Sequence, residues 1–594
     1  MKSKREKKAP LAQNDQVLYN IRHSLSHILA MAVLELRPDA KLGVGPVIDN
    51  GFYYDFALPK PLTDEDLPKL ESTMRRIIAQ NLAFEQQFMS RPEADEFFKN
   101  QPYKRELIQE KTLDNTGNQS DKVQVYKTGL FIDFCKGGHV GSTSEIPPDA
   151  FKLDKVAGAY WKGSEKNDML TRIYGIAFAN KQGLEAFVAQ QAEAAKRDHR
   201  KLGKDLDLFF FSELVGAGLP LWTPKGTLLR NLLDDFVWQL RKAKGYQKVE
   251  IPHLAKKELY QTSGHWDKFG NELMKIQTRE EHVFVVKPMN CPHHTQIYAN
   301  RLRSYRELPQ RYSNTTMIYR DEQTGELLGL SRVRSITQDD SHVFCRKPQI
   351  KNEVLAIWDI IETFYKAFGF VLKVRLSLHD PEQSQKYLGD EKNWQGAETT
   401  LRAIAKNQKV ESFEAIGEAA FYGPKVDFMA QDSLGREWQV ATIQLDFNMP
   451  GRFDLYCINE EGAQERIVMI HCAIMGSIER FISVLIEHTG GAFPFWVSPV
   501  QVVVLPISPE KHGAYAAKVM QQLVKQEIRV EMSDSNDTLG KRIREVQLQK
   551  TPYIIVVGDK EIEAKNVAVR GRDEGDMGVL TVAAFLKNGT NKIK

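Results

Sequence analysis

From Tyr19 to Leu36 the apolar positions Ile21, Leu25, Ile28, Leu29, Ala32 and Leu36 recur in steps of three and four. That spacing predicts a helix with one buried face. The text GVGPVIDNGFYYDF that follows is rich in glycine and aromatics and predicts short strands and turns. Residues 63–80, TDEDLPKLESTMRRIIAQ, predict a second helix capped by Thr63, with acidic residues in its first turn. Strand and loop text returns from Tyr126 to Pro147, and residues 17–185 together predict one α+β domain. Residues 183–201 carry few large apolar side chains and predict an exposed connecting helix, the core of a linker at 186–205.

A different pattern starts near Gly203. The run LLRNLLDDFVWQLRKAKG (228–245) predicts a helix stopped at Gly245, and YQKVEIPHL predicts a strand ended by Pro252. Long strand-like runs then alternate with helices, giving a region 206–497. In the last block, 498–594, the β-branched runs VQVVVLPIS, IRVEMSD and YIIVVGD are separated by the helical text AYAAKVMQQLVKQ and LGKRIREVQLQ. Strands alternating with helices predict a parallel α/β sheet.

The chain has 594 residues, enough for about four domains at roughly 150 residues each. Its 81 Lys+Arg against 77 Asp+Glu leave a net charge of +4, and 42% of residues are hydrophobic. This mix excludes wholesale disorder and a disulfide-stapled miniprotein. Five cysteines, Cys135, Cys291, Cys345, Cys457 and Cys472, are odd in number and scattered. They fit a reducing, cytoplasmic setting, free for metal or catalysis. No apolar stretch is long enough for a membrane span. The start MKSKREKKAP lacks a following apolar segment, so residues 1–16 are expected to be a solvated, disordered basic tail.

Arginines mark the middle region. Arg320 ends one strand-like run, a polar loop with Gly325 and Gly329 follows, and Arg332 and Arg334 begin the next run. A strand–loop–strand hairpin with inward arginines would suit a nucleoside triphosphate, because guanidinium binds phosphate in a bidentate way and stacks on purines. On spacing alone a solvated arginine-rich hairpin is the favoured reading. Arg480 lies on an apolar helix among Ile478, Phe481, Ile482 and Val484. If buried there it needs a partner, either a triphosphate or a structural carboxylate.

The hairpin resembles motif 2 of the class II aminoacyl-tRNA synthetases, GSIERF resembles motif 3, and KVEIP resembles the close of motif 1. Within that class, VKPMNCPHH (286–294), RVRSITQDDSHVFC (332–345), AAFYGPKVDF (419–428), TIQLDF (442–447) and MIHCAIMGSIERF (469–481) resemble the threonyl-tRNA synthetase family. The resemblance implies an α+β multidomain protein with an N-terminal α+β editing domain, a class II antiparallel-sheet catalytic core and a C-terminal α/β anticodon-binding domain. It implies a cytoplasmic homodimer that joins L-threonine to tRNA(Thr) using ATP with Mg2+. Only 22 residues precede His23. The small ubiquitin-like domain that many bacterial members carry there is therefore expected to be lacking.

Cys291, His342 and His471 lie 51 and 129 residues apart, so no local spacing marks a metal site. By resemblance they are ligands of one Zn2+ per subunit, with an open position for substrate. Threonine and valine are nearly isosteric, and a plain pocket separates them weakly. A zinc ion taking the amine and β-hydroxyl of threonine would reject valine but not serine, so a second sieve is expected. The resemblance also assigns Gln338, Asp340, Tyr422 and Gln444 to the amino acid, and Arg320, Glu322, Arg332, Gln439 and Arg480 to ATP. Lys425 falls near the carboxylate and α-phosphate, and His265 at acyl transfer. Two departures are His293, where the family has glycine, and Cys472, where arginine is common.

In the first domain His23 and His27 share a helix face, and Cys135 and His139 are four apart with Asp133 just before. Read from the residues, HxxxH with CxxxH fits a zinc site of one cysteine and three histidines. Ser24 stands where an HExxH protease needs glutamate. By resemblance the same side chains, with Lys104, line a water-mediated pocket that hydrolyses Ser-tRNA. In the last block Asn536, Lys550, Glu561 and Arg570 fall where the family contacts anticodon bases; composition alone fits a generic α/β domain. The rivals are a non-enzymatic RNA-binding paralogue, a zinc hydrolase built on the N-terminal block, and a class II ligase for serine or proline.

Overall fold

A computed structural model describes residues 13–111, 122–408, 410–533, 535 and 537–590. The chain divides into two units, Met1–Ala192 and Glu193–Lys594. In the first unit the helix Gln13–Leu36 begins earlier than expected. Residues 13–16 of the expected tail are helical, with Asp15 in the first turn where the helix dipole favours an acid. Residues 1–12 lie outside the described residues. The predicted apolar row Ile21, Leu25, Ile28, Leu29 and Ala32 is buried in one core with Phe52, Tyr54 and Phe56 of the strand Gly51–Ala57. That strand sits in an antiparallel sheet with Met169–Ala177 and Phe151–Tyr160. The predicted second helix is a 3-10 turn, Asp64–Asp66, continued as Leu67–Ile78; Thr63 N–H donates to Asp66 Oδ2 at 2.9 Å. A smaller antiparallel sheet joins Glu85–Ser90, Lys122–Thr128 and Phe131–Phe134.

The predicted single connecting helix is two, Lys181–Lys196 and His199–Asp205. Asp198 breaks the run because its side chain accepts the Arg200 N–H at 2.8 Å and caps the second helix. The second unit is built on an eight-stranded sheet in the order 247–248, 310–319, 335–345, 468–477, 437–446, 425–431, 371–378, 412–416. Its six inner strands are antiparallel, and only the two edge strands pair in parallel. The helices Pro224–Ala243, Ile350–Lys366 and Ile478–Thr489 share one hydrophobic core with this sheet. Of the predicted strand YQKVEIPHL, Gln247–Lys248 pairs in this sheet and Val249 N–H still donates to Ser313 O; the chain then leaves ahead of Pro252, and Leu254 opens a separate strand, Leu254–Lys256.

The C-terminal sheet departs from the all-parallel expectation. Val530–Met532, Val502–Pro506 and Tyr553–Val557 are parallel, but Val567–Gly571 and Gly575–Leu580 add on in antiparallel sense. The short helix Asp559–Ala564 is followed by Lys565 in the left-handed region (φ 53°), which turns the chain straight back along its neighbour. Among the described residues no helix is long and apolar enough to cross a membrane.

Candidate functional site

Strand register assembles the site. His342 faces His471 across one strand pair, His471 faces Gln444 across the next, and Gln444 faces Lys425 across the third. The next same-face row, two residues along, is Asp340, Ala473, Thr442 and Asp427. Cys291 opens the helix Cys291–Ala299, with Pro292 in its first turn. It brings its sulfur to the histidine row: the ligand atoms of Cys291, His342 and His471 all lie within 4.8 Å of one another.

The donor set fits zinc. His342 Nε2 lies 3.1 Å from His471 Nδ1. The opposite nitrogens are tied back: His471 Nε2 to Asp446 Oδ2 at 3.0 Å, and His342 Nδ1 to His294 Nδ1 at 2.7 Å. A carboxylate on Nε2 fixes the proton there and leaves Nδ1 of His471 as a free lone pair, the usual arrangement behind a metal-bound imidazole. Burial, and then the nearby Asp340 and Asp446 charges, push the Cys291 thiol well above its ordinary range. A cation is what would favour the thiolate. One thiolate and two imidazoles leave a fourth position open.

The surrounding groups close around this centre. His265 is fully buried, with Nε2 3.6 Å from Cys291 Sγ and Nδ1 2.8 Å from Ser263 Oγ. Burial, reinforced by nearby positive groups, lowers its pKa to about 3, so it is a neutral imidazole against the metal cluster. The Tyr422 ring stacks on His471 at 4.7 Å, and its hydroxyl donates to Gln444 Oε1. Asp340 accepts from Asn290 Nδ2 at 3.1 Å, and burial raises its carboxyl to about 6. Gln338 Oε1 is buried with no partner among the described residues.

The hairpin strands are Gln310–Tyr319 and Ser335–Cys345. The expected ATP-binding arginines differ in their partners. Arg332 pairs with Glu322 at 2.7 Å and with Glu326 at 3.2 Å, so Glu322 is already engaged. Among the described residues no carboxylate forms an ion pair with Arg320 or Arg480. Arg320 lies over the Phe269 ring with its Nε unpartnered, and desolvation lowers its pKa. Arg480 is exposed on the first turn of its helix, so a buried structural carboxylate is not its partner. Lys425 reaches Asp427 at 3.2 Å, and Gln439 donates to Asp427 at 2.9 Å while accepting from Arg375 at 2.7 Å. Asp427 also accepts from Ser377 and Thr442. Sequence reasoning assigned no role to Asp427, Asp446, Asn290 or His294, although all four stand inside the quoted motifs.

The second cluster lies in the first unit. The ligand atoms of His23, His27, Cys135 and His139 fall within 4.8 Å of one another. Cys135 Sγ is 3.1 Å from His139 Nε2, whose Nδ1 is 3.2 Å from Ser24 Oγ. A buried ion pair joins Lys104 to Asp133 at 2.6 Å, and Tyr54 OH donates to the other Asp133 oxygen at 2.6 Å. His23, His27, Lys104, Asp133 and Cys135 line a cavity of about 360 Å³. Burial lowers the pKa of His23, His27 and His139, and pushes the Cys135 thiol up to about 12. The thiol is therefore neutral and a poor nucleophile. A water polarised by a neutral imidazole is the chemistry such a pocket can offer.

The described residues expected to contact anticodon bases sit on different elements. Asn536 lies outside the described residues. Glu561 accepts the Gly558 N–H at 2.9 Å and caps a helix. Lys550 occupies a positive-φ position, and Arg570 is exposed on the strand Val567–Gly571.

Residues 274–489 match the profile described as tRNA synthetase class II core domain (G, H, P, S and T). Residues 501–588 match an anticodon binding domain, and 123–174 match the threonyl and alanyl tRNA synthetase second additional domain. The chain is 47% identical over 585 residues to a threonine–tRNA ligase of Gloeobacter violaceus, covering 96% of this chain and 92% of that one. It is 45% identical over 576 residues to one of Dehalococcoides mccartyi, covering 97% and 96%. A crystal structure described as the RNA binding domain of threonyl-tRNA synthetase from Cryptosporidium parvum superposes with a TM-score of 0.63 at 38% identity, over 66% of this chain and 98% of that one.

Proposed function

The chain belongs to the threonine–tRNA ligase family, and from that premise we propose how its own residues carry out the reaction. Threonine and ATP give threonyl-adenylate and pyrophosphate, and the 3′-terminal hydroxyl of tRNA(Thr) then takes the threonyl group. The observation that carries this reading is the convergence of Cys291, His342 and His471 beside Asp340, Tyr422 and Gln444. These residues would hold Zn2+, which when bound supplies a site for both the amine and the β-hydroxyl of threonine. Asp340 and the unpartnered Gln338 Oε1 orient those same groups. Arg320 and Arg480, with no ion-paired carboxylate among the described residues, take phosphate oxygens, with Mg2+ accompanying ATP. Arg332 exchanges its Glu322 contact for the nucleotide. Lys425 neutralises the threonine carboxylate and α-phosphate, with Gln439 beside it. His265, pressed against Cys291, shapes the pocket wall and assists acyl transfer.

Serine keeps the hydroxyl and escapes the first sieve. The pocket of His23, His27, Cys135 and His139 removes it by hydrolysing Ser-tRNA(Thr). His27 positions the water, and the Lys104–Asp133 pair offsets developing charge. The domain division follows: editing at 17–185, linker at 186–205, catalysis at 206–497 and anticodon binding at 498–594, with Lys550, Glu561, Arg570 and Asn536 near the bases. The enzyme works in the cytoplasm as a homodimer. Sedimentation at micromolar concentration is expected to give twice the chain mass; a stable species of 67.8 kDa would remove the dimer.

ATP–pyrophosphate exchange with threonine, serine and valine, with metal determined on the same sample, tests the whole reading. Strong exchange with threonine, weaker with serine, almost none with valine and one zinc per chain is the expected result. Two zincs would make the His23 cluster a metal site, and no exchange in folded, metal-loaded protein would refute the ligase reading.

A further inference from the structure

His199, at the start of the helix His199–Asp205, is 3% exposed, and both of its ring nitrogens are engaged. Glu487 Oε1 receives the His199 backbone N–H at 3.2 Å and lies 2.6 Å from Nδ1. A carboxylate can only accept, so Nδ1 carries the proton and Nε2 is the lone-pair side. Nε2 accepts the Leu330 N–H at 3.1 Å. Asp198, His199 and Glu487 are close enough to bracket a metal, but an imidazole used at both nitrogens has no lone pair left for one.

Leu330 sits in the tight turn of the arginine hairpin. Leu328 N–H donates to Arg332 O at 3.1 Å, and Arg332 N–H returns to Leu328 O at 3.3 Å. Gly329 adopts φ +50°, and a Cβ there would come 2.3 Å from His199 Nε2. The turn thus rests directly on the imidazole, and Arg332 is its last residue. Glu487 belongs to the helix Ile478–Thr489, which also carries Arg480. Arg436 holds the other Glu487 oxygen at 2.7 Å. A second tie, Ser331 Oγ to Ser483 Oγ at 2.8 Å, joins the same turn to the same helix. Just before His199, Arg197 Nη1 donates to Ser433 Oγ at 3.0 Å and to His488 O at 3.3 Å.

We propose that His199 is a positioning residue for nucleotide binding. Accepting the Leu330 N–H fixes the turn that presents Arg332, and donating to Glu487 locks that turn to the helix that presents Arg480. The relative position of the two arginines is then set by a residue of the linker, not by the hairpin alone. This rests on the assignment of Arg332 and Arg480 to ATP.

The test uses the full chain carrying His199→Asn, His199→Gln or, as a control, Arg332→Ala. Asparagine keeps a donor near Glu487 but its carbonyl falls short of Leu330, whereas the glutamine carbonyl reaches it. His199→Asn is expected to raise KM for ATP in pyrophosphate exchange about tenfold, the factor carried by one lost buried hydrogen bond, with KM for threonine unchanged. His199→Gln should restore most of that loss. Hydrogen exchange at the Leu330 amide should be faster in His199→Asn and close to native in His199→Gln. Equal behaviour of the two variants, or KM for ATP and threonine rising together, overturns the proposal. If Arg332→Ala leaves KM for ATP unchanged, the ATP assignment of the hairpin fails and takes the nucleotide role with it. The Leu330 exchange rates then decide separately whether His199 holds the turn.

Discussion

His342 and His471 are cross-strand partners whose facing nitrogens stand 3.1 Å apart. Directly opposed side chains on neighbouring antiparallel strands are the closest pairs a sheet offers. Two imidazole lone pairs brought this near repel unless a proton or cation lies between them. His294 and Asp446 hold both rings from behind, so the pair cannot relax by rotating away. A proton or a cation can fill the gap between them, and the buried Cys291 sulfur lies within 4.8 Å of both rings' ligand atoms.

Cys291→Ala is expected to lose zinc and threonine-dependent pyrophosphate exchange together. Alanine removes the only sulfur of the triad while leaving the helix that carries it intact. Metal content and exchange should be measured on the same preparation. Retained exchange in a zinc-free variant would show that threonine is recognised without the metal.

His27→Ala is expected to leave charging with threonine intact and to let Ser-tRNA(Thr) accumulate. His27 is buried beside Phe131 and His139 in a cluster of its own, and its Nδ1 has no hydrogen-bond partner among the described residues. Undiminished deacylation of Ser-tRNA by this variant would take His27 out of the editing step.

The pH dependence of that hydrolysis follows from burial. A free imidazole gains a proton near pH 6.5. Desolvation disfavours the charged form, so His23, His27 and His139 all stay neutral to lower pH than that. His27, the group that positions the water, is held well below the ordinary value and so stays neutral as pH falls from 7.5 to 6. Single-turnover deacylation, corrected for the uncatalysed rate, is expected to show no inflection near 6.5; one there would mean a solvated histidine controls the step.

What could be read from the sequence and what could not divide along a physical line. The helix over Tyr19–Leu36 was legible because its apolar row makes one core face, and local periodicity reports that directly. The arginine hairpin was legible because its strands adjoin in the chain. The row of His342, His471, Gln444 and Lys425 was not, since it depends on register between strands up to 129 residues apart; only resemblance named those residues. Asp446 and His294 stayed unassigned because what they do is hold His471 and His342 from behind, a contact that only the folded register creates. The antiparallel return of Val567–Gly571 was hidden for another reason: its apolar text would serve a strand of either direction.

The last prediction concerns what keeps that row in register. Strand Val468–Ser477 bulges opposite Gln338 and Asp340, which frees the backbone N–H groups of Ile474 and Met475. Asp339 accepts both, at 2.9 and 3.1 Å. Arg241, 1% exposed, holds Asp339 Oδ2 at 3.2 Å and the Asp339 carbonyl at 2.7 Å. Burial raises the Asp339 carboxyl to about 6, with Arg241 opposing the rise. Arg241→Met leaves a buried carboxylate without its countercharge and should cost about 3–5 kcal/mol at neutral pH. The sign of the pH effect is fixed by the raised pKa. A carboxyl whose folded pKa lies above its unfolded value loses stability as pH rises through the folded value. Without Arg241 that value moves higher, so the gap between variant and parent should be widest above pH 7 and narrow toward pH 5. Calorimetric unfolding of both proteins across this range is the check; a gap that does not change with pH would mean that lost packing, and not charge, sets the cost.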